Sequence, residues 1–253
     1  MNTATLITFI KRFFFSVFLI SALAACKELD PIMDKVKPLL DKQSQSSDQF
    51  SSEQIVEAIK QALGQGVGDS INLLGSAQGF SLSDIYHISI PEQLEKPAGL
   101  LRKLGQGKQV DDFESRLNLA AEESVKKALP VFSAAISSMS VDDALSIMKG
   151  SENAATVYFK GKTEATLRSE FLPIIQEATG ATGLTSSYKS LTSKISSVAP
   201  GYSDKLVDID EYVLGNAMDA LFDRVAQEEK MIRQDPAKRG TDLMKSVYGY
   251  FSK

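Results

Sequence analysis

The stretch "DIDEYVLGNAMDALFDRVAQEEKMIRQDP" (Asp208–Pro236) repeats apolar residues every three or four positions, which is the period of an α-helix and not of a strand. Asp208 with Glu211 makes a capping-box-like pair at its start. Asp235-Pro236 stops it and opens the last helix, because Pro tolerates a first helical position and Asp caps it. The spacing predicts a helix from Ile209 to about Gln234 with Leu214, Met218, Leu221, Phe222, Val225 and Ile232 facing inward. The acids Asp208, Asp210 and Glu211 lack the spacing and the glycine of a calcium loop, so capping is their reading.

Two carboxylates fall on the wrong side of that helix. Glu229 projects between Met218 and Phe222, and Glu228 beside Leu221 and Ala217. An unpartnered buried carboxylate is strongly unfavourable. Arg224 and Arg233 stand four residues from Glu228 and Glu229, close enough to pair along the helix. Two readings stay open: ion pairs that fix helix packing, or a polar pocket that uses one Glu as ligand or acid.

The same period extends over most of the chain before it. Ser52 to Leu74 reads as a helix with Ile55, Ile59, Leu63, Val67, Ile71 and Leu74 inward. Residues 81–90 read as a loop, and Pro91 opens a helix with Leu94, Leu101 and Leu104 inward that ends near Gly105. Phe113, Leu117, Ala121, Val125 and Ala128 mark the next, which continues or kinks at Pro130. A short helix starts at Ser151, a longer one with a bend at Pro173 starts at Thr163, and a Ser-rich one covers Thr185 to Val198. The expectation is an all-α single compact domain of about eight to ten helices over residues 52–253.

Within the first of these helices "GQGVGDS" (Gly64–Ser70) invites catalytic readings. "GDSI" lies near the Gly-Asp-Ser-Leu block of a serine hydrolase family. That family needs its Ser at a strand end and a His base near the C-terminus. Ser70 falls on the inward side of a helix, and the single His, His87, follows seventeen residues later in a loop. No Walker or dinucleotide-fold spacing surrounds the glycines. Gly64, Gly68 and Gly75 instead gather along one edge of the apolar face, so a close helix crossing is expected there, with Gly68→Leu harmful to stability. His87 has no Cys or second His with which to hold a metal.

The N-terminus says where such a body would sit. "MNTATLITFIKRFFFSVFLISALAAC" has Lys11 and Arg12, an apolar run from Phe13 to Leu23 and then small residues, the three zones of a secretory signal. "LAAC" (Leu23–Cys26) resembles the lipobox of bacterial lipoproteins, which implies cleavage after residue 25 and acyl chains on Cys26. Lys27 after that Cys implies, for a Gram-negative source, outer-membrane sorting. Residues 26–51 then read as a tether with a polar Ser/Gln/Asp run, whose flexible part spans roughly 20 Å. Cys26 is the only Cys, so no disulfide joins two parts of one chain. Removing residues 1–25 leaves 26 basic and 32 acidic residues, net −6. That sign disfavours nucleic acid and anionic headgroups, so membrane attachment rests on acyl chains.

The body resembles a bacterial family of secreted and lipoprotein chains, domain of unknown function 4197. The resemblance rests on "ALGQGVGDSINLLG", "LGQGKQVDDFESRLNLAAEESV", "ATVYFKGKT", "FLPIIQEATG" and "DEYVLGNAMDALFDRVAQEEKMIRQDPAKRGTDLMKSVYG". It implies a helical envelope protein and no reaction, cofactor or catalytic residue. A lipid-anchored binding or scaffolding module, with an envelope protein as partner, is therefore the first functional expectation. A carrier of a small apolar or amphipathic ligand, fixed by Glu228 or Glu229 in an internal cavity, is the second. A hydrolytic enzyme ranks third, since no set of nucleophile, base and orienting group is legible. The aromatic end "VYGYF" (Val247–Phe251) reads as core closure or as a partner-binding tip.

Overall fold

The computed structural model describes residues 49–140, 142, 144–202 and 207–252. The signal, Cys26 and all but the last three residues of the tether lie outside them. Residues Ser52–Lys253 form one compact unit. It is built from α1 (Ser52–Leu74), α2 (Glu92–Lys103), α3 (Gly107–Lys126), α4 (Leu129–Ser138) and α5 (Ala144–Lys149). α6 (Ala154–Ala181), α7 (Leu184–Val198), α8 (Ile209–Gln234) and α9 (Asp242–Phe251) follow, with no strand among the described residues.

α8 is the axis. α1 and α6 pack along it from two sides, and its inward arc is the one its spacing dictates, with Leu214, Met218, Leu221, Phe222, Val225 and Ile232 all buried. α4 closes the gap between α1 and α6, while α3 backs onto α6, α7 and α2. Phe132 from α4, Phe159 and Phe171 from α6 and Phe222 from α8 meet with ring centroids 5.8–6.4 Å apart. Phe132, Phe159 and Phe171 are fully buried, each contributing roughly 1.5–3 kcal/mol by leaving water. α9 packs on α1 and α5 through Met244, Val247 and Tyr248, so the aromatic C-terminus closes the core.

Capping sets the ends of α8. The Asp208 carboxylate accepts the N–H groups of Asp210 and Glu211, both at 3.1 Å. Glu211 does not return the bond of a full capping box; it pairs with Arg168 on α6 at 2.7 Å.

Several expectations need correction. α6 is one continuous helix where two were expected: the Thr163 hydroxyl donates to Phe159 O at 2.7 Å inside the helix, and Pro173 is accommodated within it. Pro236–Lys238 is a single tight turn, and α9 starts six residues after Pro236 under a Thr241 cap. Leu104 is 55% exposed because α2 ends at Lys103 and Gly105 turns the chain away with φ +75°. The close approach on α1 is made at Gly66, not Gly64 or Gly68. A Cβ on Gly66 would stand 3.4 Å from Glu228 Cβ, whereas one on Gly64 or Gly68 meets nothing within 4 Å. Gly75 is tight, a Cβ there lying 2.8 Å from Ile71 O. Helices pack around α1 on several sides, so its contact line with α8 is not the edge of its apolar arc.

Candidate functional site

Both acids on α8 are buried, Glu228 at 5% and Glu229 at 2% exposure. Each pairs with the arginine four residues from it, as the spacing requires: Glu228 with Arg224, and Glu229 with Arg233, whose Nη2 lies 2.7 Å from Oε1.

Glu229 does more than neutralise a charge. The first turn of α6 has N–H groups with no partner inside the helix, and the side chain of its N-cap residue Asn153 caps none of them. Glu229 Oε1 accepts Ala155 N–H at 3.0 Å, and Oε2 accepts Thr156 N–H at 2.8 Å and the Thr156 hydroxyl at 2.7 Å. Arg233 adds Nε at 2.9 Å to the same Oε1. Its Nη1 and Nη2 donate to Met148 O and Ile147 O, at 2.9 and 3.1 Å, near the C-terminus of α5. The carboxylate therefore meets the positive end of α6 and the guanidinium the negative end of α5, the favourable sense of both dipoles. The α5–α6 turn is too tight for a side chain at Gly150, where a Cβ would lie 2.8 Å from Ala154 Cβ.

With these donors, the carboxylate has its lone-pair directions filled. A general acid or base needs a free position facing the substrate, and Glu229 has none to offer. Glu228 lies against Gly66, and its Oε1 accepts from Arg224 Nη2. Neither carboxylate lines any of the clefts of about 270–400 Å³ at Thr163, Lys230, Gly64 and Arg233. Arg233 borders one, with Met148, Tyr248 and Phe251.

The Arg224–Glu228 pair continues outward. Arg224 Nη1 donates to Gln227 Oε1 at 2.8 Å, and Gln227 Nε2 reaches Tyr86 Oη at 3.0 Å. Tyr86 Oη donates to Asp223 Oδ2 at 2.9 Å. Burial, and then the bond to Asp223, push the Tyr86 phenol up to about 12.

The two catalytic candidates on α1 and the following loop are engaged elsewhere. Ser70, fully buried, donates its hydroxyl to Gly66 O at 2.6 Å. His87 sits with Nδ1 3.2 Å from Ser81 O and Nε2 3.0 Å from Glu114 Oε1. Among the described residues no group of three or more His, Cys, Asp or Glu is placed to hold a metal.

Among the buried polar residues that escaped the sequence reading, Glu122, Asn118 and Arg239 each hold backbone. Glu122 Oε1 on α3 accepts Phe80 N–H, Ser81 N–H and the Ser81 hydroxyl, all at 3.0–3.1 Å. Asn118, one turn earlier, exchanges two 2.9 Å bonds with the backbone of Ile88. Both interrupt the arc of Leu117, Ala121 and Val125, the signal that exposed Glu228 and Glu229. Arg239 after α8 donates to Ile232 O and Arg233 O, each at 3.0 Å, closing the C-terminus of α8; no local pattern marks it.

The family model described as protein of unknown function (DUF4197) matches residues 49–249. The chain belongs to this family. Searches of the curated proteins and of the solved structures give no match. The matched span of DUF4197 runs from the last residues of the expected tether to the last turn of α9, and so includes both ion pairs and the loop held by α3.

Proposed function

We propose that this chain is a lipid-anchored envelope protein that works by binding or scaffolding another protein. The sequence supports the anchor: a secretory signal ends in "LAAC", and Cys26 is the chain's only Cys. One structural observation carries the binding reading: the acids that sequence singles out for chemistry are spent on holding helices together. Glu229 ties α6 to α8, and Glu228 pairs with Arg224 against Gly66 of α1. The carrier reading needs Glu228 or Glu229 on a cavity wall; both are buried and paired with arginines, which favours the binding reading.

The anchor is tested by fractionating cells that express the full chain or Cys26→Ala, fed an alkyne-tagged fatty acid. The expected result is label and membrane association in the wild type and loss of both in Cys26→Ala. Unchanged membrane association of the variant overturns the reading.

A further inference from the structure

The loop between α1 and α2 presents two large aliphatic side chains to solvent. Leu82 is 72% exposed and Ile85 74%, while Phe80 and Ile88 on either side are 0% and 2% exposed. An unstructured loop could fold such residues away; this one is pinned. Glu122 holds residues 80 and 81, and Asn118 holds residue 88. Ser83 Oγ accepts Ile85 N–H at 3.3 Å and Tyr86 N–H at 2.9 Å, and Leu82 N–H donates to Gln78 O at 3.2 Å. The two aliphatics ride on a turn whose ordering cost is already met in the free protein, which raises the affinity of whatever they enter.

We propose that this turn is a docking plug that inserts Leu82 and Ile85 into an apolar pocket of an envelope protein, a pocket rimmed by Lys or Arg. The proposal rests on the binding reading above and names its contact. Charge selects the occupant. Asp84 stands exposed between the two aliphatics and Asp223 is exposed beside Tyr86, while residues 61–95 contain no Lys or Arg. A second copy would bring the same acids together, and anionic headgroups would be repelled. A basic rim is attracted, with the aliphatic pair as the few buried anchors that carry most of an interface's energy.

With Cys26 acylated, a thiol introduced on the loop is unique in the mature chain. Full-length Leu82→Cys and Ile85→Cys, with Val157→Cys on α6 as an exposed control (Val157 is 60% exposed), are labelled in their own cells with a benzophenone maleimide and irradiated. Adducts are then identified by mass spectrometry. The proposal expects one discrete protein adduct from positions 82 and 85 and none from 157. It falls about tenfold when Ile85→Asp is added to Leu82→Cys, or when Asp84→Lys is added to either. No adduct from either position, an equal adduct from Val157, an adduct of the chain with itself, or label in lipid alone overturns it. The circular dichroism of each variant is compared with wild type; the aliphatics are solvent-facing, so helical content is expected to stay unchanged. Fractionation of the same cells separates the two readings: membrane-bound chain without adduct overturns the plug alone, and soluble wild-type chain with the adduct overturns the anchor alone.

Discussion

Gly66 and Gly68 stand two residues apart on one helix and differ in what a side chain would meet. Gly68 is half-buried with open space where its Cβ would be, so Gly68→Ala removes a helix-propensity cost without a clash. Gly68→Ala is expected to raise the free energy of unfolding by about 0.5–1 kcal/mol. Gly66 is buried against Glu228 and Val225, and Gly66→Leu is expected to lower it by about 1–3 kcal/mol or more through overpacking. Urea denaturation of the two variants checks both signs; the edge of the apolar arc had put the close approach at Gly68. At Tyr86 the folded-state pKa lies above the ordinary value of 10.0, at about 12. Below pH 10 the phenol is protonated in folded and unfolded chain alike, and its contribution to stability is fully present. Between pH 10 and 12 the unfolded chain loses the proton first, so that contribution drains away as pH rises. Tyr86→Phe is expected to flatten the fall of stability across that window, measured by denaturation at a series of pH values.

At the scale of elements, α8 was legible to its ends, because Asp208 and Asp235 are local signals that bond to backbone within three residues. α6 was read as two helices because its stripe is blurred: Val157 faces outward and Gly161 interrupts it. Its cap could not be read at all. The group that satisfies its first turn lies 73 residues further along the chain, and periodicity holds no information about such a partner. Glu229→Ala strips α6 of that cap and leaves Arg233 buried without its counter-ion, an expected loss of about 3–5 kcal/mol. Glu229→Gln restores the shape but turns an amide N–H₂ toward donors, for a smaller loss of about 1–3 kcal/mol. Denaturation measures both, and faster hydrogen exchange at the Ala155 and Thr156 amides locates the damage. Adding Arg233→Ala to Glu229→Ala is expected to cost less than the sum of the two single changes, because the lone buried charge is gone.

For the whole molecule, composition and period were enough for an all-α body, and the helix spacings gave most of its buried residues. What they could not give is which helix neighbours which. Glu228 and Glu229 were visible as polar intrusions in an apolar arc, yet the choice between pocket and pairing needed the third dimension, where Ala155, Thr156 and the carbonyls of α5 take up the remaining bonds. The Leu82–Ile85 turn left no trace in any pattern, since two aliphatics in a loop read as ordinary until their neighbours are known. The central place of α8 also bears on how the body comes into being. The helix that covers the apolar faces of both α1 and α6 follows both of them and is the last long one among the described residues. A ribosome releases the N-terminus first, so those faces wait for residues 209–234 before they can close. The long-range pairing that results slows folding, and the apolar faces of α1 and α6 stay uncovered until α8 has followed them.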